Sequence, residues 1–433
     1  MERKREIADR LLAYLKEQGA DAAQVEIAEE ETKEFNVDSG EFTLMRTLFD
    51  RRVTLSVIRD SRYGTVTTNR FDEEGLMDLA QDALAAAESA EVDEARQFDD
   101  SSRTERHEEG TPECDTEKLF QRSKEFLDTI HENYKKLIVE QMITRHVNMK
   151  VLYRNSYGTT VETEGGNYGF YVGYAAHEGE SSSHSYGSFA QMKDLSRPFI
   201  ECALTRKELE DTEKQACPEP FQDKFTGTVV FTPDCLGDVV FGTILSEFVS
   251  DRPLIEGTSG FKDKLGQQVA DSRITLSLAP GDERITGNMS YTGEGYPAED
   301  YDIIRDGVLQ NFCLSQYGAN KTGGKRGGNT TSAMVSPAGG KSLSEIISGI
   351  ERGILIGRFS GGEPGANGEF SGVAKNSFLI ENGQLTKALS ETMISANLYE
   401  MLFHLKDISS ETMDNGEVSL PYMAFDGITI SGK

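Results

Sequence analysis

Ile7, Leu11, Leu12 and Leu15 recur at helical spacing and give out at Gly19, which predicts a helix over residues 4–18. Alternating and β-branched runs follow at 25–28, 42–46, 53–58 and 64–68, and residues 59–64 read as the turn between the last two. Residues 75–90, rich in Ala and Leu, predict a second helix with one apolar face. The acidic stretch 91–114 reads as a connection, and a third helix is expected at 115–133. A second series of strands is then predicted at 137–145, 148–155, 159–164, 167–177 and 181–192, closed by a helix over 194–213.

Strands followed by a helix thus occur twice, at 23–90 and at 137–214, as an internal duplication would produce. Two prolines in Cys217-Pro-Glu-Pro-Phe221 mark a domain boundary. From there the pattern changes to short apolar strands between Gly-rich turns, at 227–232, 273–278, 333–336, 353–358, 377–381 and 427–431. Helices are expected at 235–249, 341–350 and 395–405. The reading is an α+β chain: an N-terminal domain over 1–220, of antiparallel strands with helices, and a β-rich C-terminal domain over 221–433.

Charge narrows the function classes. With 45 Lys and Arg against 73 Asp and Glu, the formal charge of −28 repels phosphate backbones and anionic lipid, so neither direct nucleic-acid binding nor membrane docking is expected. Five cysteines at wide spacings, without a C-x-x-C, fit a reducing compartment better than a disulfide framework. The charged start Met1-Glu-Arg-Lys-Arg-Glu-Ile7 lacks an apolar signal core, and no run reaches the ~20 apolar residues of a membrane span, so the expected location is cytoplasmic.

Candidate chemistry read from the residues alone is sparse. His177-Glu178 with His184 is a His-Glu pair followed by a nearby histidine, but positions seven apart on a strand face opposite sides. His107-Glu108 and His131-Glu132 have no second histidine at ligand spacing. Gly318–Lys325 fails as a phosphate loop, because Ala319 stands where glycine is needed and Arg326 where Ser or Thr should follow the lysine. The cluster 361–368 reads as turns. No G-x-S-x-G elbow is present, and Cys235 and Cys313 could act as nucleophiles only beside a histidine.

Several runs together are more informative. Thr228-Val-Val-Phe-Thr-Pro-Asp-Cys-Leu-Gly237, Gly323-Gly-Lys-Arg-Gly-Gly-Asn-Thr330, Asn367-Gly-Glu-Phe-Ser-Gly372, Phe378-Leu-Ile-Glu-Asn-Gly-Gln384 and Phe425-Asp-Gly-Ile-Thr-Ile-Ser-Gly432 resemble, in order and spacing, the TldD/PmbA family, once called modulators of DNA gyrase. Val37–Phe42, Arg62–Val66 and Leu76–Ala80 extend the resemblance into the N-terminal half. It implies a two-domain α+β fold and a dimer around a central cavity. It also implies a TldD-type metallopeptidase that carries His-Glu-x-x-x-His on a helix plus a C-terminal cysteine, acting with a PmbA-type (TldE) partner on unfolded or leader peptides. Gly328, Asn329, Asn367 and Gly368, in two of the matching runs, are the candidate cavity-lining residues.

The metal positions can be checked one by one. A catalytic zinc needs about three protein ligands and an open position for water. On the helix beginning near Gly237, the first histidine position falls on Phe241, the glutamate on Gly242 and the second histidine on Ser246. The cysteine should lie near Met413–Gly416, yet no cysteine follows Cys313. Histidines five apart are about 500° apart on an α-helix, so the family's motif also implies a distorted helix here. The resemblance therefore implies a PmbA/TldE-like subunit without a cofactor of its own, with zinc in a TldD-type partner or else a stand-alone, non-catalytic peptide-binding homodimer.

Overall fold

A computed structural model describes residues 1–287 and 290–432. The first part of the chain forms α1 (Glu2–Glu17), β1 (Ala22–Asp38), β2 (Glu41–Arg59), β3 (Arg62–Thr68), α2 (Glu73–Ser89), β4 (Thr104–Gly110), α3 (Thr116–Asn133), β5 (Leu137–Asn155), β6 (Thr160–Glu178), β7 (Ser181–Ser182), β8 (Tyr186–Met192) and α4 (Thr205–Lys214). Its main sheet runs β3-β2-β1-β5-β6, with β4 parallel and β8 antiparallel on the far edge of β6.

Two units of similar order, α1-β1-β2-β3-α2 and α3-β5-β6-β7-β8-α4, meet at the antiparallel pair β1–β5, which is in register from Gln24 opposite Asn155 to Asp38 opposite Gln141. Each unit buries its own core. Leu11 and Leu15 of α1 and Leu79 and Ala83 of α2 pack on Val25, Ile27 and Leu55 in the first. Phe126 and Ile130 of α3 and Leu209 of α4 pack on Met142, Phe170 and Tyr174 in the second.

Several expected boundaries shift. The paired runs at 42–46 and 53–58, 137–145 and 148–155, and 159–164 and 167–177 are single strands of up to 19 residues, because the backbone ladder continues through the polar stretches that broke the apolar pattern. The expected connection 91–114 contains β4, whose polar alternation Thr-Glu-Arg-His-Glu-Glu hides it. The helix expected from 194 begins at Thr205, after a short 3₁₀ turn at Phe199–Glu201.

The second sheet draws on β9 (Glu219–Pro220), β10 (Lys224–Phe231), β11 (Leu276–Leu278), β12 (Tyr301–Arg305), β13 (Val308–Leu309), β14 (Met334–Val335), β15 (Arg352–Ser360), β16 (Glu369–Glu381), β17 (Gln384–Ser390), β18 (Met393–Asn397), β19 (Leu405–Asp414) and β20 (Ser419–Ser431). Between them lie α5 (residues 233–249), α6 (Asp251–Glu256), α7 (Gln316–Thr322), α8 (Leu343–Ser348) and α9 (Leu398–Met401). The helix expected over 395–405 is β18 followed by the single turn α9; Ile394 and Ser395 pair with Ile430 and Thr429 of β20, and that ladder overrides local propensity. The fold is α+β. No helix among the described residues is long and apolar enough to cross a membrane.

Candidate functional site

The helix that carries the sequence-assigned metal positions grows directly out of the sheet. β10 ends in Val229, Val230 and Phe231, all fully buried, between parallel β15 and antiparallel β20. Thr232 caps α5 by accepting from Cys235 N at 3.4 Å, with Pro233 at the first helical position. Leu236, Val240, Phe241, Ile244, Phe248 and Val249 then pin the helix in the core of the second sheet.

The winding of α5 is irregular. Leu236–Phe241 and Ile244–Val249 are π-helical, and Gly242 N–H reaches back five residues to Gly237 O. A Cβ on Gly242 would stand 2.9 Å from that oxygen, so the wide turn is made around a missing side chain. π winding reduces the angular offset between positions five apart relative to a regular α-helix, which is the distortion that a His-Glu-x-x-x-His spacing calls for.

The side chains at these positions do not fit a zinc ion. Phe241 is fully buried among apolar neighbours, Gly242 has no side chain, and Ser246 is exposed and offers one hydroxyl. At the expected cysteine region, Met413 of β19 is 2% exposed and pairs with Leu420 of β20, which in turn abuts Gly237. The C-terminal segment thus does lie against α5, with apolar atoms at the junction.

The two candidate cavity loops converge on the far end of α5. Asn329 is fully buried; its Nδ2 donates to Leu278 O at 3.1 Å and Glu299 O at 2.8 Å, and its Oδ1 accepts from Thr331 N at 2.9 Å and Thr331 Oγ1 at 2.8 Å. Its carbonyl oxygen accepts from Tyr301 OH at 2.9 Å and lies beside Cys313, whose N–H donates to Val249 O at 2.9 Å. Neighbouring Gly328 leaves room for Tyr301 and the Glu299 carbonyl. Asn367 is exposed, and Gly368 (φ 77°) lies under the ring of Tyr399. Tyr399 stacks on Phe248 at 4.3 Å and donates from its hydroxyl to Ala366 O at 2.8 Å.

A feature invisible in the sequence lies at the other end of α5. Asp234, in the first turn, and Glu208, on α4, bring their carboxyl groups together in a narrow cleft with room for about 30 Å³, between the two sheets' helices. Tyr186 OH donates to Asp234 at 3.1 Å, and Ser188 Oγ donates to Glu208 at 2.5 Å while bonding Tyr174 OH at 2.7 Å. Desolvation, and for Glu208 the neighbouring Asp234 as well, pushes both carboxyls up: Asp234 to about 6, and Glu208 well above the usual carboxylate range. Only Thr232-Pro-Asp234 hinted at half of this arrangement, as a helix start.

The remaining candidates disperse. His177 and His184 are exposed, and Glu178 pairs with Lys136 at 2.6 Å. His107 lies on β4 against Glu105. Burial pushes the Cys235 and Cys313 thiols up, and the charged or hydrogen-bonding groups acting on them include no histidine. Among the described residues, no group of three or more His, Cys, Asp or Glu side chains is placed to hold a metal ion.

Comparison with known proteins connects these features. Residues 225–432 match a family model described as the PmbA/TldA metallopeptidase C-terminal domain, and residues 23–87 match that of PmbA/TldA metallopeptidase domain 1. A metalloprotease of Methanocaldococcus jannaschii is 22% identical over 436 residues, covering 95% of this chain and 93% of its own. Metalloprotease PmbA of Escherichia coli O157:H7 is 29% identical over 173 residues, 38% of each chain. In fold, the chain is similar to TldE from Thermococcus kodakarensis, with a TM-score of 0.82 at 20% identity over 98% of this chain and 100% of that one. Both family models, the near full-length relative and the shared fold lead to one conclusion: the chain belongs to the PmbA/TldD metallopeptidase family.

Proposed function

We propose that this chain is the metal-free, TldE-like member of a TldD/TldE-type pair, supplying structure and peptide-binding surface to a metalloprotease whose zinc is held by a TldD-type partner. The observation that carries the reading is α5: it keeps the wide winding suited to ligands five apart while presenting Phe241, Gly242 and Ser246 at those positions. A buried phenyl ring and an absent side chain give a divalent cation nothing to replace its water shell, and Gly242 offers no carboxylate at the general-base position. The fold shared with a TldE adds support. Extended, unfolded or leader peptides are the substrate class in this reading, held through backbone hydrogen bonds at strand edges. The chain works in the cytoplasm and has no direct contact with nucleic acid.

The test is co-expression with a metal-bearing TldD-type subunit, followed by metal analysis and hydrolysis of an unfolded reporter peptide by the complex and by each chain alone. The complex is expected to be active and sensitive to chelators, and this chain alone to be inactive. Chelator-sensitive peptidase activity in the isolated chain would overturn the proposal. Capture of the peptide by the isolated chain, without any association with the metal-bearing subunit, would favour a stand-alone peptide-binding homodimer instead.

A further inference from the structure

Residues 91–103 leave α2 and cross to the second half of the chain before β4 begins. Asp99 N donates to Glu294 O at 2.8 Å, Asn320 Nδ2 to Ala95 O at 2.9 Å and the Arg103 guanidinium to Gly295 O at 2.7 Å. This strap carries Arg96 over two rings, with its guanidinium carbon 3.9 Å from the ring centre of Tyr317 and 4.8 Å from that of Tyr63. Ring faces hold a guanidinium in place but accept none of the N–H bonds in its plane. Among the described residues, no hydrogen bond or ion pair engages those donors. Arg96 lines a pocket of about 270 Å³ with Tyr63, Gln97, Ser315, Tyr317 and Thr330. Thr330 is exposed and follows Asn329 in the chain, so the pocket flanks the loop that Asn329 pins.

We propose that Arg96 and this pocket bind a carboxylate of an extended peptide, from its C-terminus or from an acidic side chain; the inference rests on the peptide-binding reading above. A planar guanidinium fork matches a carboxylate through parallel hydrogen bonds, and rings beside the fork strengthen such a pair by keeping water from it. The volume lies just below the range of about 300–1,000 Å³ found for small-molecule sites, which suits a short piece of chain rather than a folded surface. Glu294 also lines the pocket without an ion pair to Arg96, and its charge disfavours a dianion such as phosphate more than a single carboxylate. A residue that only staples the strap to the two rings would not need the fork, because a lysine ammonium is drawn to the same ring faces. The fork is what a carboxylate reads, and it is the part of Arg96 that the fold leaves unused.

The experiment measures fluorescence anisotropy of the full-length chain with an unstructured peptide, labelled at its N-terminus and carrying a single glutamate. The peptide is made with a free or an amidated C-terminus and with the glutamate kept or changed to glutamine. Removing the carboxylate that Arg96 holds is expected to weaken binding at least about tenfold, and whichever removal does so names its source. Arg96→Lys keeps a cation over the rings and is expected to lose that preference while keeping the melting temperature. Glu294→Gln leaves the backbone bonds of the strap in place and is expected to tighten binding of the acid-bearing peptides but not of the neutral one. Equal binding of every peptide version by wild type would overturn the inference and leave the peptide-binding reading standing. So would a preference for the acid that both variants leave unchanged. Binding of no version at all would overturn the peptide-binding reading, and this inference with it.

Discussion

The carboxyl group of Glu208 on α4 lies against that of Asp234 in the first turn of α5, so a pair of acids forms a contact between the two halves of the chain. Asp211 and Asp238 add negative potential to one member or the other, Arg358 offsets part of it at Asp234, and Tyr186 and Ser188 donate hydrogen bonds from the side of β8. Neighbouring acids in a desolvated seam are most stable when they share a proton.

The folded chain holds that proton more tightly than the unfolded chain does. As pH rises above the ordinary carboxylate range, the unfolded state releases protons that the folded state keeps, and stability falls. For Asp234 this window runs from 3.8 to about 6, and for Glu208 it extends higher. Glu208→Gln, which mimics the protonated acid, is expected to flatten the decline, gaining on the order of 1–2 kcal/mol over wild type at pH 8 relative to pH 5. Urea unfolding at the two pH values measures this. Parallel pH profiles for the two proteins would show that the pair holds no shared proton.

Gly242→Ala should reverse the usual sign of a helical Gly-to-Ala change. In a regular helix alanine gains about 1 kcal/mol over glycine. Here the new Cβ would stand 2.9 Å from Gly237 O, so the π turn must shift, and a loss of about 1–2 kcal/mol is expected. Thermal denaturation gives the sign directly, and a stabilised variant would mean that the wide turn relaxes freely.

Asn329→Ala is expected to cost about 2–4 kcal/mol, because it strips the Leu278 and Glu299 carbonyls of their Nδ2 donor and releases the Thr331 turn. Exposed Asn367 accepts one bond, from Glu369 N, through its side chain, and Asn367→Ala should stay within about 1 kcal/mol of wild type. Chemical denaturation of both variants separates the two candidate loops into a buried pin and a solvent-facing position.

Native-state alkylation with iodoacetamide should modify Cys217, which is exposed, well before Cys202 or Cys235, which are buried with thiols pushed up by desolvation. Peptide mapping after timed labelling reads the order. Early modification of Cys235 would revive a cysteine nucleophile at the start of α5.

Much of the fold was legible because its periodicities are local. Leu79, Ala80 and Ala83 announce α2, and Phe126, Leu127 and Ile130 announce α3. The repeated unit was visible in the order of those patterns. β4 was not, since every residue from Thr104 to Glu109 is polar and its place depends on pairing with β6, more than 50 residues away. The 395–405 segment reads as a helix until β20 claims its first residues. On α5, the mismatch of Phe241, Gly242 and Ser246 with zinc-ligand chemistry rests on residue types, which could be read from the sequence directly. The Glu208–Asp234 contact could not, because nothing in a one-dimensional pattern records that α4 and α5 come together.

The winding of α5 also bears on how such a helix can change over time. Side chains on it can be exchanged singly, as any surface or core position can. Its pitch cannot: removing one residue to restore regular α turns would swing everything downstream by about 100°, carrying Phe248 and Val249 out of the core and Phe248 off Tyr399. The backbone path is therefore the conservative part of this element and the side-chain chemistry the labile part, so descendants of one ancestor can keep the same coil while differing in what it holds.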